Sequence, residues 1–169
     1  MFPIQQPFGD FGVRIRGGYL STSSARILIV EDYEPFRRFA CSTLEKSLGL
    51  HVVCEASDGL EAVRKAKELQ PDLIVLDVGL PSLNGIEAAR RIRKVSPGSK
   101  ILFISQESST DVVQGAFDTG ARGYVLKTDA RSELLTAVDA VLRGEQFVGK
   151  GFSGHDFGGV AYSQATPPC

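Results

Sequence analysis

Between Arg26 and Leu142 the apolar residues fall into two alternating textures. Short runs, namely Ile27-Leu28-Ile29-Val30, Val52-Val53-Cys54, Leu73-Ile74-Val75-Leu76, Ile101-Leu102-Phe103-Ile104 and Tyr124-Val125-Leu126, read as strands. The first, third and fourth are unbroken rather than alternating, which predicts strands covered by helices on both faces. Between the runs, apolar residues recur at steps of three and four. Phe36, Phe39, Ala40, Thr43, Leu44 and Leu48 mark a first helix, with Glu34 and Pro35 in its opening turn. Asp58 with Glu61, and Asn84 with Glu87, have capping-box spacing for the second and third helices, the third burying Ala88, Ile92 and Val95. Val112, Val113, Ala116 and Phe117 mark a fourth, and Leu134, Leu135, Val138, Val141 and Leu142 a fifth, closed by Gly144. Strand then helix, repeated five times, implies right-handed crossovers and a parallel α/β sheet.

The flanks lack this periodicity. Residues 1–25 carry scattered glycines, two prolines and Ser21-Thr22-Ser23-Ser24, which predicts a flexible arm. Residues 26–145 form one predicted domain. Residues 146–169, with Gly149, Gly151, Gly154, Gly158, Gly159, Pro167 and Pro168, are expected to be a disordered tail without room for an output domain. With 43% hydrophobic and 23% charged residues, 169 positions suffice for one domain with a core. A net charge of −1 gives no general basic surface for nucleic acid. Arg90, Arg91, Arg93 and Lys94 read as a solvated helix face. Cys41, Cys54 and Cys169 are odd in number and widely spaced, which suits reduced thiols better than a zinc site. His51 and His155 read as bland. No apolar run reaches the ~20 residues of a membrane span, and no signal peptide is visible. The expectation is a soluble, cytoplasmic protein.

Ligands of an open parallel sheet bind beyond the carboxyl ends of its strands, where strand order reverses. There the sequence puts Glu31 and Asp32 after the first strand, Asp77 after the third, Ser105 at the end of the fourth and Lys127 after the fifth. Polar residues commonly end strands, so each alone means little. As a set they are chemically complementary. Three crowded carboxylates repel one another and call for a cation, and magnesium suits oxygen ligands with a phosphate partner. A carboxylate beside a metal and a lysine can attack a phosphoryl group, with a hydroxyl to help stabilise its oxygens.

Over residues 25–145 the chain resembles the response-regulator receiver domains (CheY-like) of bacterial two-component signalling. The resemblance is carried by Glu31-Asp32, by Asp77 with Leu80-Pro81 and Asn84-Gly85, by Ser105, and by Gly123-Tyr124-Val125-Leu126-Lys127. It implies a flavodoxin-like (βα)5 doubly wound sheet of strand order 2-1-3-4-5. It also implies that Asp77 accepts phosphate from a histidine kinase or phosphotransfer protein, and that Glu31, Asp32 and Asp77 hold Mg2+. Ser105 and Lys127 would contact the phosphoryl oxygens, while Ser105 and Tyr124 switch the surface formed by the fourth helix, fifth strand and fifth helix toward a partner or a homodimer. Such a domain is not a turnover enzyme.

Departures from the common pattern narrow the reading. Gln106 stands where many receivers have a small residue, and its side chain could restrict the route to Asp77. Gly79 and Glu107 occupy positions that tune phosphate lifetime in the family. Thr128 after Lys127, and Leu142-Arg143-Gly144-Glu145-Gln146-Phe147-Val148, look like the nitrate-regulator branch, whose members carry a LuxR-type helix-turn-helix domain. Two alternatives stay open: a receiver-like interaction module that works unphosphorylated, and a hydrolase of the haloacid-dehalogenase type. The hydrolase wants a second Asp at position 79, where this chain has Gly.

Overall fold

The computed structural model of the chain describes residues 24–152 and a short antiparallel ladder in which Arg14–Ile15 pairs with Gly18–Tyr19. The rest of the expected arm, and the tail from 153 to 169 with His155 and Cys169, lie outside the described residues.

Strands β1 (Ala25–Val30), β2 (Leu50–Ala56), β3 (Leu73–Leu76), β4 (Lys100–Ser105), β5 (Gly123–Leu126) and β6 (Phe147–Val148) form one parallel sheet of order 2-1-3-4-5-6. Helices α1 (Glu34–Glu45), α2 (Gly59–Leu69), α3 (Gly85–Val95), α4 (Thr110–Asp118) and α5 (Ala130–Leu142) connect them. The predicted order 2-1-3-4-5 holds, extended by one strand.

Side-chain alternation along the strands feeds two cores. Leu28, Val30, Ile74, Leu76, Ile101 and Phe103 pack against Ala62 and Ala66 of α2, Ala89 and Ile92 of α3, and Val113 and Ala116 of α4. Their neighbours Ile27, Ile29, Leu73, Val75, Leu102 and Ile104 face Ala40 and Leu44 of α1 and Leu134, Ala137, Val138 and Val141 of α5. Every second residue thus goes to each face, and none of these runs meets water, hence their unbroken hydrophobicity. At the sheet's edge β2 is only half-buried, and its register shifts at Val53 opposite Ile27 and Leu28.

The caps follow the predicted chemistry with one difference. The Leu60 and Glu61 N–H groups donate to Asp58 Oδ1 at 2.7 and 3.2 Å, and Glu61 reaches back to the Ser57 N–H at 3.2 Å. Asn84 accepts from the Glu87 N–H at 3.0 Å, but the Glu87 carboxylate turns instead to Arg90 and Arg91. Those arginines are exposed, as is the whole basic cluster of α3.

Three assignments of buried and exposed positions change. Leu48, read as part of the first helix's stripe, is fully exposed because α1 ends at Glu45 and the chain turns at Gly49, φ +82°. On α5, Leu135 is 40% exposed while Glu133 is 3% exposed. Residues 147–152, expected in the disordered tail, are packed: β6 pairs with β5, and a 3-10 turn over Lys150–Phe152 buries Phe152 to 1% exposure. Among the described residues, no helix is long and apolar enough to cross a membrane.

Candidate functional site

Strand β1 lies between β2 and β3, and the connections leaving β1 and β3 run to opposite faces of the sheet, to α1 and α3 respectively, which opens a crevice at their carboxyl ends. Backbone pairing places the polar residues around this crevice. The Glu31 N–H donates to Ala56 O at 2.9 Å, Asp77 N–H to Val30 O at 3.0 Å and Lys127 N–H to Ser105 O at 2.9 Å, so each residue extends its strand by one step. The loop after Asp77 is drawn tightly inward. The Gly85 N–H donates to Val78 O at 2.8 Å, and a Cβ on Gly85 would lie 1.9 Å from the Asp77 carbonyl oxygen. Only glycine lets α3 begin so close to the site.

Lys127 is the centre of charge. Its Nζ lies 3.0 Å from Asp77 Oδ2 and 2.7 Å from Glu31 Oε2, and 5.1 Å from the centroid of the Phe36 ring. Burial works against this ammonium, but Glu31 and Asp77 outweigh burial and hold its pKa above the usual lysine value. Glu31 is 1% exposed, and burial lifts its pKa despite Lys127 and the Tyr33 N–H, which donates to Oε1 at 2.9 Å. Its Oε2 has the ion pair but no well-angled hydrogen-bond donor. Asp77, 4% exposed, accepts at Oδ1 from the Gly79 N–H at 3.3 Å.

Asp32 is exposed at the mouth, and oxygens of Glu31, Asp32 and Asp77 lie within 4.8 Å of one another. A buried carboxylate oxygen short of donors beside two further carboxylates suits a hard divalent cation. The cleft over Asp77 holds about 480 Å³ and is bordered by Asp32, Tyr33, Ser105, Gln106, Glu107 and Lys127. Gln106 is exposed at the rim. The structure therefore brings together every residue singled out for this site.

Residues 27–139 match the response regulator receiver domain family. The chain belongs to this family. Relatives of the receiver include the transcriptional regulatory protein LiaR of Bacillus subtilis, 36% identical over 120 residues, 71% of this chain and 57% of that protein. VraR of Staphylococcus aureus is likewise 36% identical over 120 residues, 71% of this chain and 57% of VraR. Among solved structures, a LuxR-family two-component response regulator from Aurantimonas matches with TM-score 0.71 and 38% identity, covering 74% of this chain and 89% of that one. The signal receiver domain of the putative response regulator NarL from Mycobacterium tuberculosis matches with TM-score 0.69 and 30% identity, over 73% of this chain and 99% of that one. The chain spans little more than half the length of the curated relatives it matches. Receiver domains of this family work with histidine kinases and typically bind Mg2+ through acidic residues.

Beyond the cleft, the receiver's Tyr124 is fully buried, turned inward from β5. Its hydroxyl donates to Glu107 O at 2.8 Å, and the Glu107 N–H donates to Ser105 Oγ at 3.2 Å. Burial, partly offset by Ser105, pushes the phenol up to about 12. Phe103 lies beside the Tyr124 ring with centroids 6.1 Å apart, and Phe152 meets it edge-on at 5.5 Å. Sequence reasoning missed three residues around this site: Phe36, read only as helix stripe; Glu133, hidden among exposed charges; and Phe152, in a glycine-rich stretch. The one signal for Phe152 was the apolar recurrence Phe147, Val148, Phe152.

Proposed function

We propose that the chain is a phosphorylation switch in which Asp77 accepts a phosphoryl group from a histidine kinase or phosphotransfer protein. The observation that carries the reading is the Lys127 ammonium bridging Asp77 and Glu31 at the floor of an open cleft. One Asp77 oxygen forms the new O–P bond while the donor's N–P bond breaks, and the electron pair leaves with the donor imidazole. Lys127 then balances charge on the phosphoryl oxygens, and the buried Ser105 hydroxyl, its oxygen held by the Glu107 N–H at the cleft wall, donates a hydrogen bond to them. Glu31, Asp32 and Asp77 would hold Mg2+, which when bound neutralises the charge of the carboxylates and of the incoming phosphate. Phe36 lies against the Lys127 ammonium and limits where it can move.

In this reading the output is the surface of α4, β5 and α5, altered through Ser105 and Tyr124 and offered to a partner or a second copy. The chemistry is one self-directed transfer with slow loss of the phosphate, and no substrate is turned over. The test is acetyl phosphate with Mg2+ on the full chain, read by intact mass. A gain of one phosphoryl group that disappears in Asp77→Asn and on chelating the metal is expected. Unchanged labelling of Asp77→Asn would refute the assignment, and no labelling of folded wild type would favour a receiver that acts unphosphorylated.

A further inference from the structure

The segment after α5 does more than close the sheet. The Phe147 N–H donates to Arg122 O and the Gly149 N–H to Tyr124 O, both at 2.9 Å, so β6 zips onto the outer edge of β5. Glu133 of α5, 3% exposed, accepts from the Lys150 N–H at 3.0 Å and clamps the following turn. The seat is close: a Cβ on Gly149 would lie 2.7 Å from Glu133 Oε2, and one on Gly151 2.6 Å from Leu126 Cδ1. The segment thereby delivers Phe152 edge-on to the Tyr124 ring, at 86° between planes.

From there the contacts run without a gap to the cleft. Phe152 covers Tyr124, the Tyr124 hydroxyl holds the Glu107 carbonyl, and the Glu107 N–H holds Ser105 Oγ at the cleft wall. With Phe152 gone, the inward Tyr124 would lose its outer wall, and with it the tether on residues 105–107.

We propose that residues 147–152 are a strap coupled to the phosphoacceptor cleft, so that seating Phe152 on Tyr124 and phosphorylating Asp77 favour each other. The coupling rests on the reading of Asp77 given above. Because it is a free energy shared between two sites, it must be reciprocal: whatever factor the strap adds to the affinity of the cleft, an occupied cleft adds to closure of the strap. A seated strap also fills the hydrogen-bonding edge of β5, so a partner that adds a strand there must first displace it.

The test uses the full chain with Mg2+ and beryllofluoride, a phosphoryl mimic. Hydrogen exchange at the Gly149 and Lys150 amides is expected to slow by about fivefold or more when the mimic binds, and Phe152→Ala to weaken mimic binding by a similar factor. Gly149→Val, which crowds the Glu133 carboxylate and unseats the strap while keeping Phe152, is expected to act in the same direction and decides the matter if Phe152→Ala fails to fold. Mimic bound tightly with strap exchange unchanged, or equal affinity in wild type and the folded variants, would overturn the coupling while leaving Asp77 as the acceptor. Wild type that binds no mimic would overturn the acceptor reading and the coupling together.

Discussion

Replacing Lys127 by methionine tests whether the site is held by charge. The Lys127 side chain is 11% exposed, and its ammonium stands between the carboxylates of the buried Glu31 and Asp77. Methionine keeps the aliphatic bulk over Phe36 but leaves two carboxylates facing each other without a cation. Removing one partner from a fully buried ion pair costs about 3–5 kcal/mol. Here the cleft admits water, so the lower figure of roughly 2–3 kcal/mol applies, a fall of about 6–9 °C in Tm at ~3 °C per kcal/mol for a domain of this size. Thermal unfolding of both proteins in EDTA and in excess Mg2+ reads it out. Magnesium is expected to recover much of the loss in Lys127→Met and to raise wild type less, since wild type already has a cation between its carboxylates. Acidification should act in the same direction. Burial raises the Glu31 pKa in the folded state, so its contribution is most favourable below pH ~4.5 and falls as pH rises through the folded pKa. Lys127 lowers this pKa in wild type, so its removal raises it further, and the variant gains on wild type as pH falls toward ~4.5. An unchanged Tm for Lys127→Met in EDTA at pH 7 would refute the reasoning, because it would mean that the two carboxylates need no counter-charge.

Three other outcomes follow from the packing. Gly85→Ala should lower stability by about 2–3 kcal/mol in urea unfolding, because its Cβ would drive into the Asp77 carbonyl at 1.9 Å and backbone must move. Leu134→Ala, fully buried against β4 and β5, should cost about 2–4 kcal/mol, whereas Leu135→Ala, on the exposed side of α5, should stay within about 0.5 kcal/mol. In alkaline titration Tyr124 should ionise near 12 rather than 10, because burial favours its neutral form. The stability this lends is present below pH 10 and lost as pH climbs to 12, by about 2–3 kcal/mol relative to Tyr124→Phe.

The architecture was legible because each face of the central sheet has its own core. Strands buried on both sides need unbroken apolar runs, so Leu73-Ile74-Val75-Leu76 announced itself. The site was legible for a related reason. Its residues sit one step past those runs, where chemical type is visible against apolar background, and complementary types at four strand ends narrow the chemistry sharply. Helix faces were less legible. The periodicity of α5 identifies a stripe of leucines and valines but not how far the covering extends sideways, so Leu135 was counted in the stripe and the buried Glu133 was passed over. Leu48 failed differently: the helical spacing runs past Glu45, but the chain leaves the helix for the turn at Gly49.

The strap was illegible for a physical reason that also explains its composition. Glycines at 149 and 151 look like a segment with nothing to bury, and by composition alone that is the correct inference. Here the same glycines let backbone approach Glu133, Leu126 and the Tyr124 carbonyl closely enough to seat one phenylalanine. Absence of side chains is thus the condition for the contact, and the burial it permits, that of Phe152, is spent on the ring of Tyr124. A substitution at Gly149 should therefore loosen Phe152 without touching it. Composition registers a stretch of this kind as weakly hydrophobic because the apolar surface it covers belongs to other parts of the chain.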